Sequence, residues 1–333
     1  MNLYLYEQGS RVKSRENRII IETENLNREI PINAVENVVL FGKIEVTSSA
    51  ITACMQKGII LTWLSSKGKF FGRLESTSYV NVMKQKKQML LGLNDKFVLE
   101  ISKKFIYGKA HNQLVSLKRK FNEGAPLELE KNIAEIEKYI QKIPSANSLN
   151  SLLGYEGSIS KSYFQGLSQC VKKEFKFHGR SKRPPKDPFN SMISFGYTLL
   201  LYEIYTSICS RGLHPYFAFL HRDKQNHPAL CSDLMEEWRA VLVDSLARKL
   251  INKRQVKIDD FTKDEQTCGI LMSKKAVKLF IKEFEKNMRR SISYIAKENI
   301  VTNYRKAIDY QVKLLVKAID NEDANIYEPV MMR

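Results

Sequence analysis

A change of period near residue 80 constrains this chain more than any other feature. Before it, short β-rich runs recur between turn signals; after it, apolar residues return every three or four positions and continue to about Ile319. One element type cannot carry both periods, so the sequence predicts two domains of α+β class. The expected boundaries are 1–78 for a small β domain and 79–325 for a larger all-α domain. With 333 residues, 43% of them hydrophobic, each domain has enough apolar side chains to bury a core.

In the first domain, strands are predicted over 2–6, 18–22, 38–41, 59–63 and 69–74. One helix interrupts them: Thr47, Ser48 or Ser49 caps it, residues 50–55 supply its apolar face and Gly58 ends it. A β-sandwich-like domain with one inserted helix follows. In the second domain, Ala276, Val277, Phe280, Ile281, Phe284 and Met288 recur at helical spacing behind a Ser273 cap. Tyr304, Ile308, Val312, Leu315 and Ile319 do the same, and both stripes are read as core. Residues 121–150 read as a charged surface helix and loop, and the terminal NEDANIYEPVMMR as a frayed tail.

The formal net charge of +18 is unevenly placed. Residues 1–78 hold 10 Lys+Arg against 8 Asp+Glu, and the remainder hold 44 against 28, so the second domain owns the field. Such a surface attracts phosphate backbones by releasing their counterions. Scattered lysines that only solvate helix faces are the alternative, and it is weakest where the charges cluster. Cysteines 54, 170, 209, 231 and 268 lie far apart without CxxC spacing, which favours thiols of a reducing compartment over a disulfide framework or a thiolate zinc site. No run reaches the ~18 apolar residues of a membrane span. MNLYLYEQGSR has neither the basic start nor the cleavage site of a signal peptide, so a soluble, intracellular protein is expected.

Three segments hold candidate chemistry. In LNSLLGYEGSISKSYF, Glu156 lies between Gly154 and Gly157, which would let a ligand approach closely; taken alone, a plain helix-terminal glutamate explains it better. Residues 172–186, KKEFKFHGRSKRPPK, set seven Lys or Arg against Glu174. Lys172, Lys173, Arg180, Lys182 and Arg183 offer phosphate contacts, and Phe175, Phe177 and His178 offer rings to stack on an unpaired base. Pro184 and Pro185 leave this stretch a projecting loop before a long apolar helix starting near Asn190. The third segment, GLHPYFAFLHRDKQNHPALCSDLMEEWR, ends an apolar run in His221 and re-enters a helix carrying Asp233 and Glu236 on one face. An imidazole with two or three carboxylate oxygens suits Mn²⁺ or Mg²⁺, which would polarise a phosphodiester. The competing reading makes His221 a helix cap and pairs the two acids with Arg239 or Arg222.

Other chemistries lack their parts. His221, Arg222 and Asp223 spell HRD without the glycine-rich loop, strand lysine or DFG of a kinase, and no GxxxxGK[ST] occurs. No serine or cysteine nucleophile has a recognisable elbow or paired histidine.

Taken in order, REIPINAVENVVLFG, KGIILTWLSSKGKFFGRL, LLGYEGSISKSYF, RSKRPPKDPFNSMISFGYTLL, GLHPYFAFLH and SDLMEEWRAVLVD resemble a family, over about residues 1–255. It is the CRISPR-associated integrase that captures new spacers, the first protein of the universal adaptation pair, also called a CRISPR-associated endonuclease. The resemblance implies a dimerising β domain, a helical catalytic and DNA-binding domain, and a homodimer. It also implies a small companion adaptation protein joined in a heterohexamer. It maps catalytic metal ligands onto Glu156, His221 and Glu236, with the nearby acid Asp233 as a fourth catalytic residue. Arg180, Arg183 and Asn190 fall in the stretch near bound DNA, while Asp187 orders that loop. The implied reaction is a Mg²⁺- or Mn²⁺-assisted attack of a 3′-hydroxyl on a repeat-boundary phosphodiester in the prokaryotic cytoplasm, with cleavage of branched or single-stranded DNA as a side activity. Two other readings stay open: a general structure-selective metal-dependent nuclease, and a non-catalytic DNA-binding scaffold.

Overall fold

The computed structural model describes residues 1–24, 27–66, 68–77, 80–222, 225–293 and 301–332, which fall into two units, Met1–Val80 and Asn81–Arg333. The first unit runs β1 (Asn2–Leu5), β2 (Arg11–Arg15), β3 (Arg18–Glu22), β4 (Asn27–Pro31), β5 (Asn37–Phe41), β6 (Glu45–Val46), α1 (Ser48–Gln56), β7 (Ile60–Leu64) and β8 (Phe70–Leu74). These strands form two four-stranded sheets, ordered β1-β5-β7-β8 and β4-β3-β2-β6. β5 is buried along its whole length and parallel to both β1 and β7, which explains its unbroken apolar run. A parallel pair needs a crossover, and α1 lies in the connection from β5 to β7. Of its three candidate caps, Thr47 is the one that accepts the Ala50 N–H.

Three strands escape the sequence pattern: β2, β4 and β6 are short, charged and largely exposed, with Val12 the single buried residue of β2. Their strand character comes from pairing with β3 and with each other rather than from their own side chains. Glu16 and Asn17 both adopt positive φ, 49° and 59°, and close the β2–β3 hairpin in the sense that matches strand twist.

The second unit contains α2 (Val82–Leu91), α3 (Asp95–Asn122), α4 (Leu129–Ile140), α5 (Leu149–Gln169), α6 (Pro188–Ser210), α7 (Ala229–Trp238), α8 (Ser245–Asn252), α9 (Lys274–Met288) and α10 (Tyr304–Asn321). The stripes are core, as expected: Phe280, Phe284, Ile308, Val312 and Leu315 are buried, and Ser273 caps α9. Within 121–150, α4 buries Leu129, Ile133 and Ile136. The unit is not wholly α. Two antiparallel ribbons, β9 (Phe261–Lys263) with β10 (Ile270–Met272) and β11 (Ser291–Ser293) with β12 (Val301–Asn303), interrupt the helices. Strands of three residues are too short to imprint a period of two on the sequence. Among the described residues, no helix is long and apolar enough to cross a membrane.

The tail also departs from expectation, because it is docked rather than frayed. Tyr327 is fully buried, and its hydroxyl donates to Glu237 Oε1 at 2.7 Å. The Val330 N–H donates to Glu237 Oε2 at 2.5 Å, Asn112 Nδ2 donates to Val330 O at 2.8 Å, and Met332 N–H donates to Asn112 Oδ1 at 2.7 Å. A Cβ at position 108 would stand 2.8 Å from Pro329 Cβ, so Gly108 on α3 leaves the groove in which the tail lies.

Candidate active site

Helices α3, α5 and α7 and one loop bring the site together. Ser148 caps α5 by accepting the Ser151 N–H, which places Glu156 in the second turn of a 21-residue helix rather than at its end. Neither Gly154 nor Gly157 has an atom within 4 Å of where a Cβ would stand, and Gly157 lies with Glu156 on the lining of one cavity.

The loop before α7 is organised by Asp233. Its fully buried carboxylate accepts the backbone N–H groups of Phe219 at 2.8 Å, Leu220 at 2.9 Å and His221 at 3.0 Å. It also sits 2.8 Å from His221 Nδ1. This contact takes up Nδ1, and His221 Nε2 stands 3.8 Å from Glu236 Oε1. Phe219 anchors the loop beneath, edge-on to Phe97 with ring centroids 5.5 Å apart. Asp233 therefore acts on His221 rather than facing the cavity with spare oxygens.

Glu236, one turn further along α7, is 4% exposed at its side chain. Burial by itself would raise its carboxyl, but Arg239, Lys109 and His221 outweigh that cost and hold it at about 2. Arg239 Nη2 stands 3.1 Å from Glu236 Oε1, one half of the competing pairing considered from sequence; Arg222 instead meets Asp95 at 3.5 Å and donates to Gly92 O at 3.0 Å. Glu156 is likewise pushed up by burial and brought below its ordinary value by Lys109, with a hydrogen bond from Ser160 Oγ at 2.8 Å.

Lys109 was not among the sequence candidates, and it occupies the centre. Its Nζ pairs with Glu156 Oε1 and lies 2.7 Å from Glu236 Oε2. Burial disfavours its charge, yet the two glutamates more than compensate and raise its pKa. The signal available in the sequence was a lysine inside the buried stripe of α3, between Phe105, Ile106 and Ala110. Lys109 also bears on whether a metal fits. An ammonium held between two carboxylates marks a cation position, and Glu236 Oε2 is buried without a directional hydrogen bond. Carboxylates and imidazole are the donor types that Mg²⁺ and Mn²⁺ accept. Among the described residues, no three His, Cys, Asp or Glu side chains form a ready-made ligand set, and Lys109 stands between the two glutamates.

These residues line a cavity of about 1410 Å³ whose wall includes His178, Arg180, Lys182, Arg183 and Arg239. Two guanidinium groups stand over the Tyr197 ring, that of Arg180 at 5.4 Å and that of Arg239 at 4.8 Å. Its hydroxyl donates to Asp244 Oδ1 at 2.6 Å, and Tyr163 donates to Oδ2 at 3.0 Å. Burial outweighs these hydrogen bonds and lifts the Asp244 carboxyl to about 6. Burial and then Arg239 and Arg180 lower the Lys182 ammonium from its ordinary value, a sign of cationic crowding on this wall.

Asn190, Phe175 and Phe177, expected near nucleic acid, are buried. Asn190 is fully buried: its Oδ1 accepts from Arg180 Nη1 at 2.9 Å and Ser181 N–H at 3.0 Å, while its Nδ2 donates to Gly179 O at 2.9 Å and Asp187 Oδ2 at 2.7 Å. It pins the basic loop, and Asp187 both orders that loop and caps α6. Phe175 and Phe177 are core, the first edge-on to Phe261 and the second stacked on Phe189 at 4.4 Å, so neither ring is presented to a base. Lys172 and Lys173 lie outside the cavity lining, unlike Arg180, Lys182 and Arg183.

The chain is similar to known proteins over nearly its whole length. The profile of the family described as CRISPR associated protein Cas1 matches residues 3–286. The CRISPR-associated endonuclease Cas1 of Mycobacterium tuberculosis is 31% identical over 322 residues, covering 96% of this chain and 94% of that relative. Among solved structures, a chain of a Cas6-RT-Cas1–Cas2 complex is similar with a TM-score of 0.86 at 24% identity, over 100% of this chain and 36% of that one. A casposase bound to its integration product is similar at 0.83 with 22% identity, over 99% and 94% of the two chains.

Proposed function

The chain belongs to the Cas1 family of CRISPR-associated proteins, and on that premise we propose that it is a metal-dependent DNA endonuclease and integrase that inserts new spacers into a CRISPR repeat array. The observation that carries this reading is the meeting of Glu156, His221 and Glu236, from three segments, beside a wall of Arg180, Lys182 and Arg183. Curated relatives named as endonucleases and a solved casposase with an integration product support the two activities.

In this reading Glu156, Glu236 and His221 Nε2 hold a Mg²⁺ or Mn²⁺ ion. Bound there, the ion supplies Lewis-acid stabilisation of the negative charge that builds on the attacked phosphodiester. Asp233 keeps the imidazole turned so that Nε2 presents its lone pair. Lys182 and Arg183 draw the DNA backbone into the cavity, while Arg239, fixed over Tyr197, meets the reacting phosphate as a preorganised charge. The attacking group in strand transfer is the 3′-hydroxyl of the incoming DNA, and in cleavage it is water, so neither reaction asks for a protein nucleophile.

The partners follow the same reading. Spacer-precursor and repeat DNA are the substrates, and a second copy of the chain completes a homodimer through the β unit. A small companion adaptation protein joins two dimers in a heterohexamer, for which the Cas1–Cas2 assembly among the solved structures is the support. The work takes place in the prokaryotic cytoplasm. The test is an integration assay with the companion and matched repeat DNA. Glu156→Ala, His221→Ala and Glu236→Ala are each expected to abolish strand transfer, with unchanged circular dichroism and little change in DNA affinity. Full activity of His221→Ala with Mg²⁺ or Mn²⁺ would reject the assigned site. Equal processing of branched DNA with and without repeat sequence would favour a general structure-selective nuclease instead.

A further inference from the structure

Resting on the metal-site reading above, we infer that Lys109 couples divalent-ion binding to nucleic-acid binding: its ammonium fills the cation position between Glu156 and Glu236 and leaves it when a phosphodiester enters. Lys109 is only 6% exposed, and its Nζ reaches both carboxylates at once. Glu156 and Glu236 are thus already balanced, by Lys109 between them and by Arg239 at 3.1 Å. Arg180, Lys182 and Arg183 add further positive charge on the facing wall.

A divalent ion entering alone would be set against this excess of fixed positive charge, in a partly buried site where screening is weak. A phosphodiester reverses that balance, because it brings the negative charge to which Lys109 can turn. The lysine has the means to do so: it lies on the cavity lining, and its four-carbon stem lets the ammonium move while α3 stays in place. The ion and the phosphate then each strengthen the binding of the other, and linkage makes the effect reciprocal. A lysine serving only as a structural ion pair would predict something different: its loss would weaken the fold and leave metal affinity and its DNA dependence unchanged.

The experiment is calorimetric titration of the full chain with Mn²⁺, with and without a short duplex ending in 3′-dideoxynucleotides, which cannot undergo strand transfer. Wild-type protein is expected to bind Mn²⁺ about tenfold more tightly with the duplex present. Lys109→Gln is expected to bind Mn²⁺ about tenfold more tightly than wild type without DNA, and to lose most of the further gain from DNA. Lys109→Arg, which keeps a cation between the glutamates, should restore weak Mn²⁺ binding without DNA. The inference is overturned if wild-type Mn²⁺ affinity is indifferent to the duplex, a result that needs no variant, or if Lys109→Gln binds no more tightly than wild type. Glu156→Ala and Glu236→Ala separate this failure from that of the underlying site, since retention of Mn²⁺ affinity in both would remove the metal site itself.

Discussion

Asp233 shows how a single side chain can organise a loop without lining the cavity beside it. Its two oxygens answer three consecutive backbone N–H groups and one imidazole nitrogen, so the path of the loop and the orientation of His221 have one cause. Replacing it by alanine strands those buried donors, at a cost on the order of 3 kcal/mol. Urea denaturation should show that loss for Asp233→Ala and a change under about 1 kcal/mol for His221→Ala, which removes a side chain at the cavity edge. A smaller effect of Asp233→Ala than of His221→Ala would reverse these roles. Asn190→Ala is likewise expected to lower stability rather than to act only on DNA affinity, because four hydrogen bonds to the basic loop and its cap depend on it. At this scale Glu156, His221 and Glu236 were legible as a set only through the resemblance, since taken alone Glu156 reads as a plain helix-terminal glutamate and the other two allow a cap and salt bridges. Lys109 was not, since lysine is common in this chain and only three converging helices make this one distinct.

Among the elements, α7 serves two faces. Glu236 and Glu237 are adjacent in sequence, so on a helix of 3.6 residues per turn they point about 100° apart. Glu236 faces the cavity, and Glu237 receives the tail through Tyr327 and Val330. Burial outweighs these hydrogen bonds and pushes the Glu237 carboxyl up to about 8 from an ordinary 4.5. The folded state therefore holds a proton that the unfolded chain releases, and the associated stability is present below the unfolded value and lost as pH rises through the folded one. The urea midpoint should fall between about pH 5 and pH 8, and Glu237→Gln should flatten that fall. An unaltered pH profile in the variant would assign the dependence elsewhere. Gly108→Ala should lower the melting temperature by crowding Pro329 and the Glu237 side chain against α3, whereas the same change at Gly154, where space is open, should not. The stripes of α9 and α10 were legible from period alone. The charged strands β2, β4 and β6, the three-residue ribbons and the docked tail were not, because each owes its conformation to a partner distant in sequence or absent from its own pattern.

For the molecule as a whole, charge is the property that reaches furthest. The surplus lies beyond residue 78, in the helical unit that also holds the cavity. Lys182→Gln with Arg183→Gln should weaken DNA binding to a similar extent for repeat and unrelated duplexes, and should reduce the slope of log affinity against log salt by about 1 to 2. An unchanged slope would place the DNA elsewhere on the surface. The sequence by itself determined the two-unit plan and the sign of the field, since period and net charge are properties of residues and their spacing. Only the tertiary structure decided which charges meet. It set Lys109 between Glu156 and Glu236, withdrew Asn190, Phe175 and Phe177 into the interior, and folded the tail behind α7. Burial and pairing are relations between segments far apart in the chain, and a pattern read along one segment contains no record of what packs against it.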